Sequence, residues 1–270
     1  MQEFEQFLVV RAGLMPVTVK GYCGAVRRIT RIIGINPDPY TVEKYVQELY
    51  TSDYSYHHKL NNVLALERYL EFLGRPTRFG RQRKPKPIIK DTLTEAEVTK
   101  LIFNSKNNRE KAIIAILAYS GIRNLELTNL KVKDVLLTQN ALRIIRGKFA
   151  KDGLCEITPD CSAILYEYLK EFPRGQEDYL FTTLVKGNQM SSGDIRKWVK
   201  VIAKRARIEK RVYPHLLRHS LTANMLLRGA DIVSLQHQLR HSWLESTLHY
   251  ANSIVFIEKN LYQKFAPSYL

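Results

Sequence analysis

The stretch Arg78-Phe-Gly-Arg-Gln-Arg-Lys-Pro-Lys-Pro87 constrains this chain more than any other. Pro85 and Pro87 oppose helix, and closely spaced like charges repel, so the segment reads as an extended connection. Residues 78–90 hold six basic side chains (Arg78, Arg81, Arg83, Lys84, Lys86 and Lys90) and no acidic one. A chain of 270 residues interrupted in this way is expected to fold as two bodies. We divide it into a first domain at 1–77, a basic linker at 78–92 and a second domain at 93–270.

The apolar spacing on both sides is mostly helical. Val19, Tyr22, Val26, Ile29 and Ile33 recur at helical intervals in Val17–Ile33. Thr41 reads as the N-cap of a helix carrying Val42, Tyr45, Val46 and Leu49. A third stripe, from Leu60 to Leu73, stops at Gly74 and Pro76. The first domain is therefore expected to be a small all-helical bundle of three or four helices. Beyond the linker, Thr94-x-x-Glu97 is a capping box. Glu110–Tyr119 is almost wholly apolar, and Gly121 ends it before a new helix at Arg123–Leu130. Ala141–Arg146 and Leu154–Ile157 read as strands flanking the turn Gly147–Gly153. Further helices are expected at 162–171, 192–206, 216–228, 232–239 and 246–250, with an amphipathic tail at Ile254–Phe265. The fold class is mainly α, with a small antiparallel β-sheet in the second domain.

The charge narrows the partner. Net charge is +16, which points to a polyanion, with nucleic acid ahead of an anionic membrane surface. No apolar run approaches the length of a membrane span, and the N-terminal residues do not read as a signal peptide. Cys23, Cys155 and Cys161 are few, odd in number and without metal-ligand spacing. They read as reduced thiols of an intracellular protein, with no metal site.

The residues able to do chemistry gather late in the chain. His215-x-x-Arg218-His219 places two imidazoles and a guanidinium within one helical turn, and Pro214 suits that helix's start. Histidine exchanges protons near neutral pH, and arginine grips two phosphate oxygens while staying charged. His241 and Tyr250 lie nine residues apart, on opposite faces of any straight helix, so they converge only if the chain turns between them. Arg123 stands at a helix start, where the helix dipole disfavours a cation. Either a phosphate or an acid such as Glu126 would account for it. Lys148 and Lys151 sit in the expected hairpin turn, from which a lysine could reach into a groove and, with a tuned pKa, protonate a leaving oxygen. Taken singly, each residue has an ordinary explanation as a surface ion pair, a solvated turn lysine or a packed tyrosine.

Taken in order, they resemble a family. Tyr119-Ser-Gly-Ile-Arg-Asn-Leu-Glu-Leu-Thr-Asn-Leu130, Gly147-Lys148, His215-Leu-Leu-Arg-His-Ser220, Gly229-Ala-Asp-Ile-Val233, Leu239-Arg-His-Ser242 and Tyr250 together resemble the tyrosine recombinases, also called phage integrases, in their compact Xer-like form. The resemblance implies a site-specific recombinase that cuts and rejoins double-stranded DNA through a 3′-phosphotyrosyl link. Tyr250 would be the nucleophile, Arg123 and Arg218 the grip on the non-bridging oxygens, and Lys148 the general acid. His215 would help move the tyrosine proton and His241 would hydrogen-bond the phosphate. Glu126 would support the first arginine, and His219 would have a structural role. It further implies no metal or other cofactor, a SAM-like core-binding domain ahead of a catalytic domain, and no separate arm-site domain before the bundle. Four copies would pair two DNA sites and exchange their C-terminal helices, in the cytoplasm on the nucleoid and away from membranes. The basic residues of 78–90 and Arg240 are DNA-contact candidates.

Two positions depart from the family's usual pattern. Arg240 stands where glycine is common before the second histidine, and Phe149 follows Lys148 where glycine is common. The latter leaves Lys148 and Lys151 both open as the acid, with Lys148 preferred. Three other readings compete: breakage by a type IB topoisomerase or telomere resolvase without pairing of two sites, a DNA-binding protein without catalysis, and a basic RNA-binding protein.

Overall fold

The computed structural model describes residues 1–85, 91–145, 153–183 and 187–240. The chain divides into two compact units, Met1–Ile88 and Ile89–Leu270.

The first unit is a bundle of four helices: α1 (Gln2–Val10), α2 (Pro16–Ile33), α3 (Pro39–Thr51) and α4 (Tyr56–Phe72). Phe4 and Leu8 of α1 pack on Val19, Cys23 and Val26 of α2 and on Tyr69 of α4. Ile29 and Ile33 continue the core toward Val42 and Val46 of α3 and Leu66 and Leu70 of α4. The first helix was not named in advance, because Gln2–Val10 spans only nine residues and its apolar side chains cluster at its end rather than forming a long stripe. The cap of α3 also differs from expectation. Asp38 is the N-cap, accepting from the Thr41 N–H at 3.1 Å and from its hydroxyl at 2.6 Å, so Thr41 is the capped residue. Pro39 at the first helical position fixes this frame.

The chain leaving α4 stays on this unit. Glu67, buried in α4, accepts from the Phe79 N–H at 2.9 Å, from Arg81 at 2.7 and 2.9 Å, and from Arg78 at 3.2 Å. Tyr50 donates its hydroxyl to the Gly80 carbonyl, and Gln82 donates to the Tyr50 carbonyl. The start of the basic stretch is thus tied to α3 and α4. Arg83 and Lys84 are exposed, while Lys86 and Lys90 lie outside the described residues.

The second unit is built around α6 (Asn108–Ser120), whose run from Ala112 to Leu117 is wholly buried. Helices α5 (Glu95–Phe103), α8 (Pro159–Glu171), α9 (Ser192–Arg205) and α10 (Pro214–Leu227) pack round it. Each buried Ile or Leu on α6 contributes roughly 1.5–3 kcal/mol relative to exposure. The capping box of α5 is present: Thr94 Oγ1 accepts from the Glu97 N–H, and Glu97 accepts from the Thr94 N–H.

Between α7 (Asn124–Asn129) and α8 lies a three-stranded antiparallel sheet of β1 (Val135–Leu136), β2 (Ala141–Ile144) and β3 (Gly153–Glu156), in that order. Ile144 pairs with Gly153 across the hairpin. The two-residue β1 is too short to carry a periodic signal. The last described helix is α11 (Ile232–Leu239). Among the described residues, no helix is long and apolar enough to cross a membrane. All three cysteines are buried free thiols.

Candidate active site

The site begins at the junction of α6 and α7. Gly121 ends α6 in the left-handed conformation, with φ 63°. A β-carbon there would lie 2.9 Å from both Leu221 and Leu239, so only glycine fits by torsion and by space. That turn delivers Arg123 as the N-cap of α7, with Glu126 three residues on.

Glu126 is the hub. One carboxylate oxygen accepts from the Arg123 N–H at 2.7 Å and from Arg240 Nη2 at 2.7 Å. The other accepts from Arg123 Nη1 at 2.8 Å. Burial pushes its carboxyl pKa up. The Arg123 backbone N–H and the Arg240 and Arg123 guanidiniums outweigh that and hold it below the ordinary 4.5. Arg123 is therefore stabilised at an unfavourable helix end by its own acid, and its side chain remains 22% exposed.

Arg218, on α10, is 4% exposed. Its partners are carbonyls: Nη1 donates to Gly121 O and Nη2 to Leu239 O at 2.7 Å. These are the C-terminal ends of α6 and α11, where unsatisfied carbonyls carry the negative end of each helix dipole. Two helix ends thus hold a buried cation that, among the described residues, no carboxylate touches directly. Burial, and then the nearby Arg123, push its pKa down to about 10, which leaves it charged at neutral pH. His215 is exposed in the first turn of α10, and His219 is buried, with the two ring centroids 6.1 Å apart.

Arg240 ends α11 with φ 49° and ψ 47°. A side chain in the left-handed region costs about 1–2 kcal/mol. Its aliphatic stem lies against Gly153 of β3, where a β-carbon would come within 3.2 Å of the Arg240 Cδ. The sequence marked Arg240 as a replacement for the usual glycine and as a DNA-contact candidate; its position opposite a buried acid from a distant element had no sequence signal. Gln238 was likewise missed. It donates to the Glu156 carbonyl at 2.8 Å, fixing α11 to β3. Beside it, burial pushes the Cys155 thiol up to about 11, so it is no competing nucleophile.

The structure thus brings Arg123, Glu126, Arg218 and Arg240 together, with His215 and His219 on the same helix as Arg218. Three guanidiniums against one carboxylate leave an excess of two positive charges. Lys148, Lys151, His241 and Tyr250 lie outside the described residues. Among the described residues, no cluster of His, Cys, Asp or Glu could hold a metal ion.

Residues 91–255 match the model of the phage integrase family. The chain belongs to that family. It is 32% identical over 220 residues to a tyrosine recombinase XerA of Pyrococcus horikoshii, covering 80% of this chain and 76% of the relative. It is 31% identical over 261 residues to a tyrosine recombinase of Thermosipho africanus, covering 88% and 90%. A crystal structure of XerA recombinase matches 99% of each chain at 25% identity and a TM-score of 0.59. The structure of XerH site-specific recombinase bound to a palindromic difH substrate shares the fold at 20% identity and a TM-score of 0.71, covering 92% of this chain and 79% of that one. The phage integrase family member described here is accordingly a tyrosine recombinase, an enzyme of DNA strand transfer. Topoisomerase-like breakage and non-catalytic DNA binding are not favoured.

Proposed function

We propose that this recombinase breaks and rejoins double-stranded DNA at specific sites, with Tyr250 as nucleophile. The observation that carries this reading is the excess of positive charge around Glu126, presented by side chains that are already held in place. A trigonal-bipyramidal phosphate spreads negative charge over its non-bridging oxygens, and fixed cations stabilise that charge without reorganising. Arg123 and Arg218 are assigned to those oxygens.

The Tyr250 oxygen forms a bond to phosphorus and its proton passes to His215. The bond from phosphorus to the 5′-oxygen breaks, and that oxygen takes a proton from Lys148. His241 hydrogen-bonds the phosphate, and Glu126 keeps Arg123 oriented. Reversal by the 5′-hydroxyl of another strand rejoins the DNA and regenerates the tyrosine, so no external energy source is needed.

We assign residues 1–77 as a SAM-like core-binding domain, 78–92 as a basic linker whose first residues pack on that domain and whose exposed Arg83 and Lys84 would lie along the phosphate backbone, and 93–270 as the catalytic domain. Four copies would pair two sites and exchange the tail Ile254–Phe265, in the cytoplasm on the nucleoid. Dimer resolution and mobile-element integration or excision both fit this chemistry.

The test starts by selecting bound duplexes from a random pool, then nicking the selected duplex so that cleavage traps the covalent adduct. Wild type should give a protein–DNA adduct that survives denaturant, and Tyr250→Phe should give none. An adduct of equal yield from Tyr250→Phe would falsify the assignment. Lys148→Ala should cleave a 5′-bridging phosphorothiolate, whose leaving group needs no proton, far better than ordinary DNA. If Lys151→Ala behaves that way instead, the acid is Lys151.

A further inference from the structure

Arg240 occupies a position that, by backbone torsion alone, favours glycine. What it gains there is contact with Glu126 at 2.7 Å, on an oxygen that also accepts the Arg123 N–H at 2.7 Å. Glu126 is 7% exposed and Arg240's side chain 16%, so this ion pair is shielded from water and from salt. Two further nitrogens of Arg240, Nε and Nη1, are buried with no hydrogen-bond partner among the described residues. The stem of Arg240 passes over Gly153, where a larger residue would push it away. Three separate elements, the α11 cap, the first turn of α7 and the first residue of β3, therefore converge to aim one guanidinium at one carboxylate.

We infer that Arg240 is a positioning residue for strand cleavage: acting through Glu126, it fixes the Arg123 guanidinium against the scissile phosphate. A carboxylate paired with Arg123 alone would be free to draw it off the phosphate, because its second oxygen would have only the backbone N–H to hold it. Arg240 pins that second oxygen from the opposite side. It also shares the negative charge, so Arg123 keeps more of its positive charge for the substrate. This rests on the assignment of Arg123 to the phosphate.

The experiment uses the full chain on its selected, nicked duplex, with Arg240→Gly as the main variant. Glycine takes the left-handed cap freely, so the substitution removes the side chain without adding backbone strain. Three quantities are read: the dissociation constant, the single-turnover cleavage rate at saturating protein, and the same rate against pH. We expect affinity within about twofold of wild type, and cleavage slower by on the order of tenfold or more, the size typical of directly coupled residues. The acid limb of the rate profile should move to higher pH, because Glu126 loses a cation that favours its charged form. Glu126→Gln should slow cleavage too, and the double variant should be no slower than the slower single one. Wild-type cleavage by Arg240→Gly, or rate losses that multiply in the double variant, would overturn the inference. So would a loss confined to affinity, which would make Arg240 a DNA contact. Failure of the underlying assignment looks different: wild type itself would form no adduct, or Tyr250→Phe would form one.

Discussion

Glu126 satisfies two arginine side chains and one backbone N–H from a buried position, so its ionised form belongs to the folded state. Its folded pKa lies below the ordinary 4.5, so the stability it adds is present above that value and fades as pH falls through the folded one. Glu126→Gln leaves the neighbouring guanidiniums uncompensated, and at neutral pH the cost should be about 3–5 kcal/mol. The gap in melting temperature between wild type and Glu126→Gln should therefore be wide at pH 7 and close as pH drops below about 4. A gap that stays constant under acid would show that the carboxylate charge is not what holds the cluster. The same residue marks a limit of sequence reading. The spacing of Arg123 and Glu126 was legible because both lie in one helical turn. The pairing of Glu126 with Arg240 was not, because they lie 114 positions apart and only the packed fold brings them together.

At the scale of elements, the helices were legible where apolar residues recur strongly, as in α2, α6 and α10, and less so where local chemistry decides. Thr41 offered the right residue type for an N-cap, yet Asp38 before Pro39 takes the role because proline sets the first turn. Asp38→Ala should cost about 1 kcal/mol and Thr41→Ala less, read by chemical denaturation of the full chain. Equal losses would show that the Asp38 side chain is not the cap. The strands β2 and β3 were foreseen, while β1 was not, since two residues hold no periodicity. The buried run of α6 was plain from composition alone. Ile116→Ala there should cost about 2–5 kcal/mol and lower the melting temperature of the second unit by several degrees. A change of less than about 0.5 kcal/mol, typical of surface sites, would contradict its burial.

For the whole molecule, a net charge of +16 predicts tight but salt-sensitive DNA binding. Each neutralised phosphate releases counterions, so the logarithm of affinity should fall with that of salt at a slope of about −0.9 per contact. Lys84→Ala or Arg83→Ala should each reduce that slope by about one if the exposed basic stretch lies on the backbone. An unchanged slope in both would remove the stretch from the interface. Arg81→Ala is a different kind of lesion, because Arg81 is engaged by Glu67 and its loss leaves a buried acid with fewer partners. Pro85, Pro87 and their charges suggested an extended connection from residue 78, but the attachment of Phe79–Gln82 to the first unit was not legible. Phe79 and the Glu67 carboxylate decide it, and neither stands out in the sequence. Arg218 ties two helix ends together while facing the same cluster that would receive the phosphate. Loss of that side chain should lower the amount of protein surviving in a cell as well as its turnover. A population drifting at this position would therefore face two penalties at once, and a quiet route to a folded but inert descendant would begin elsewhere in the site.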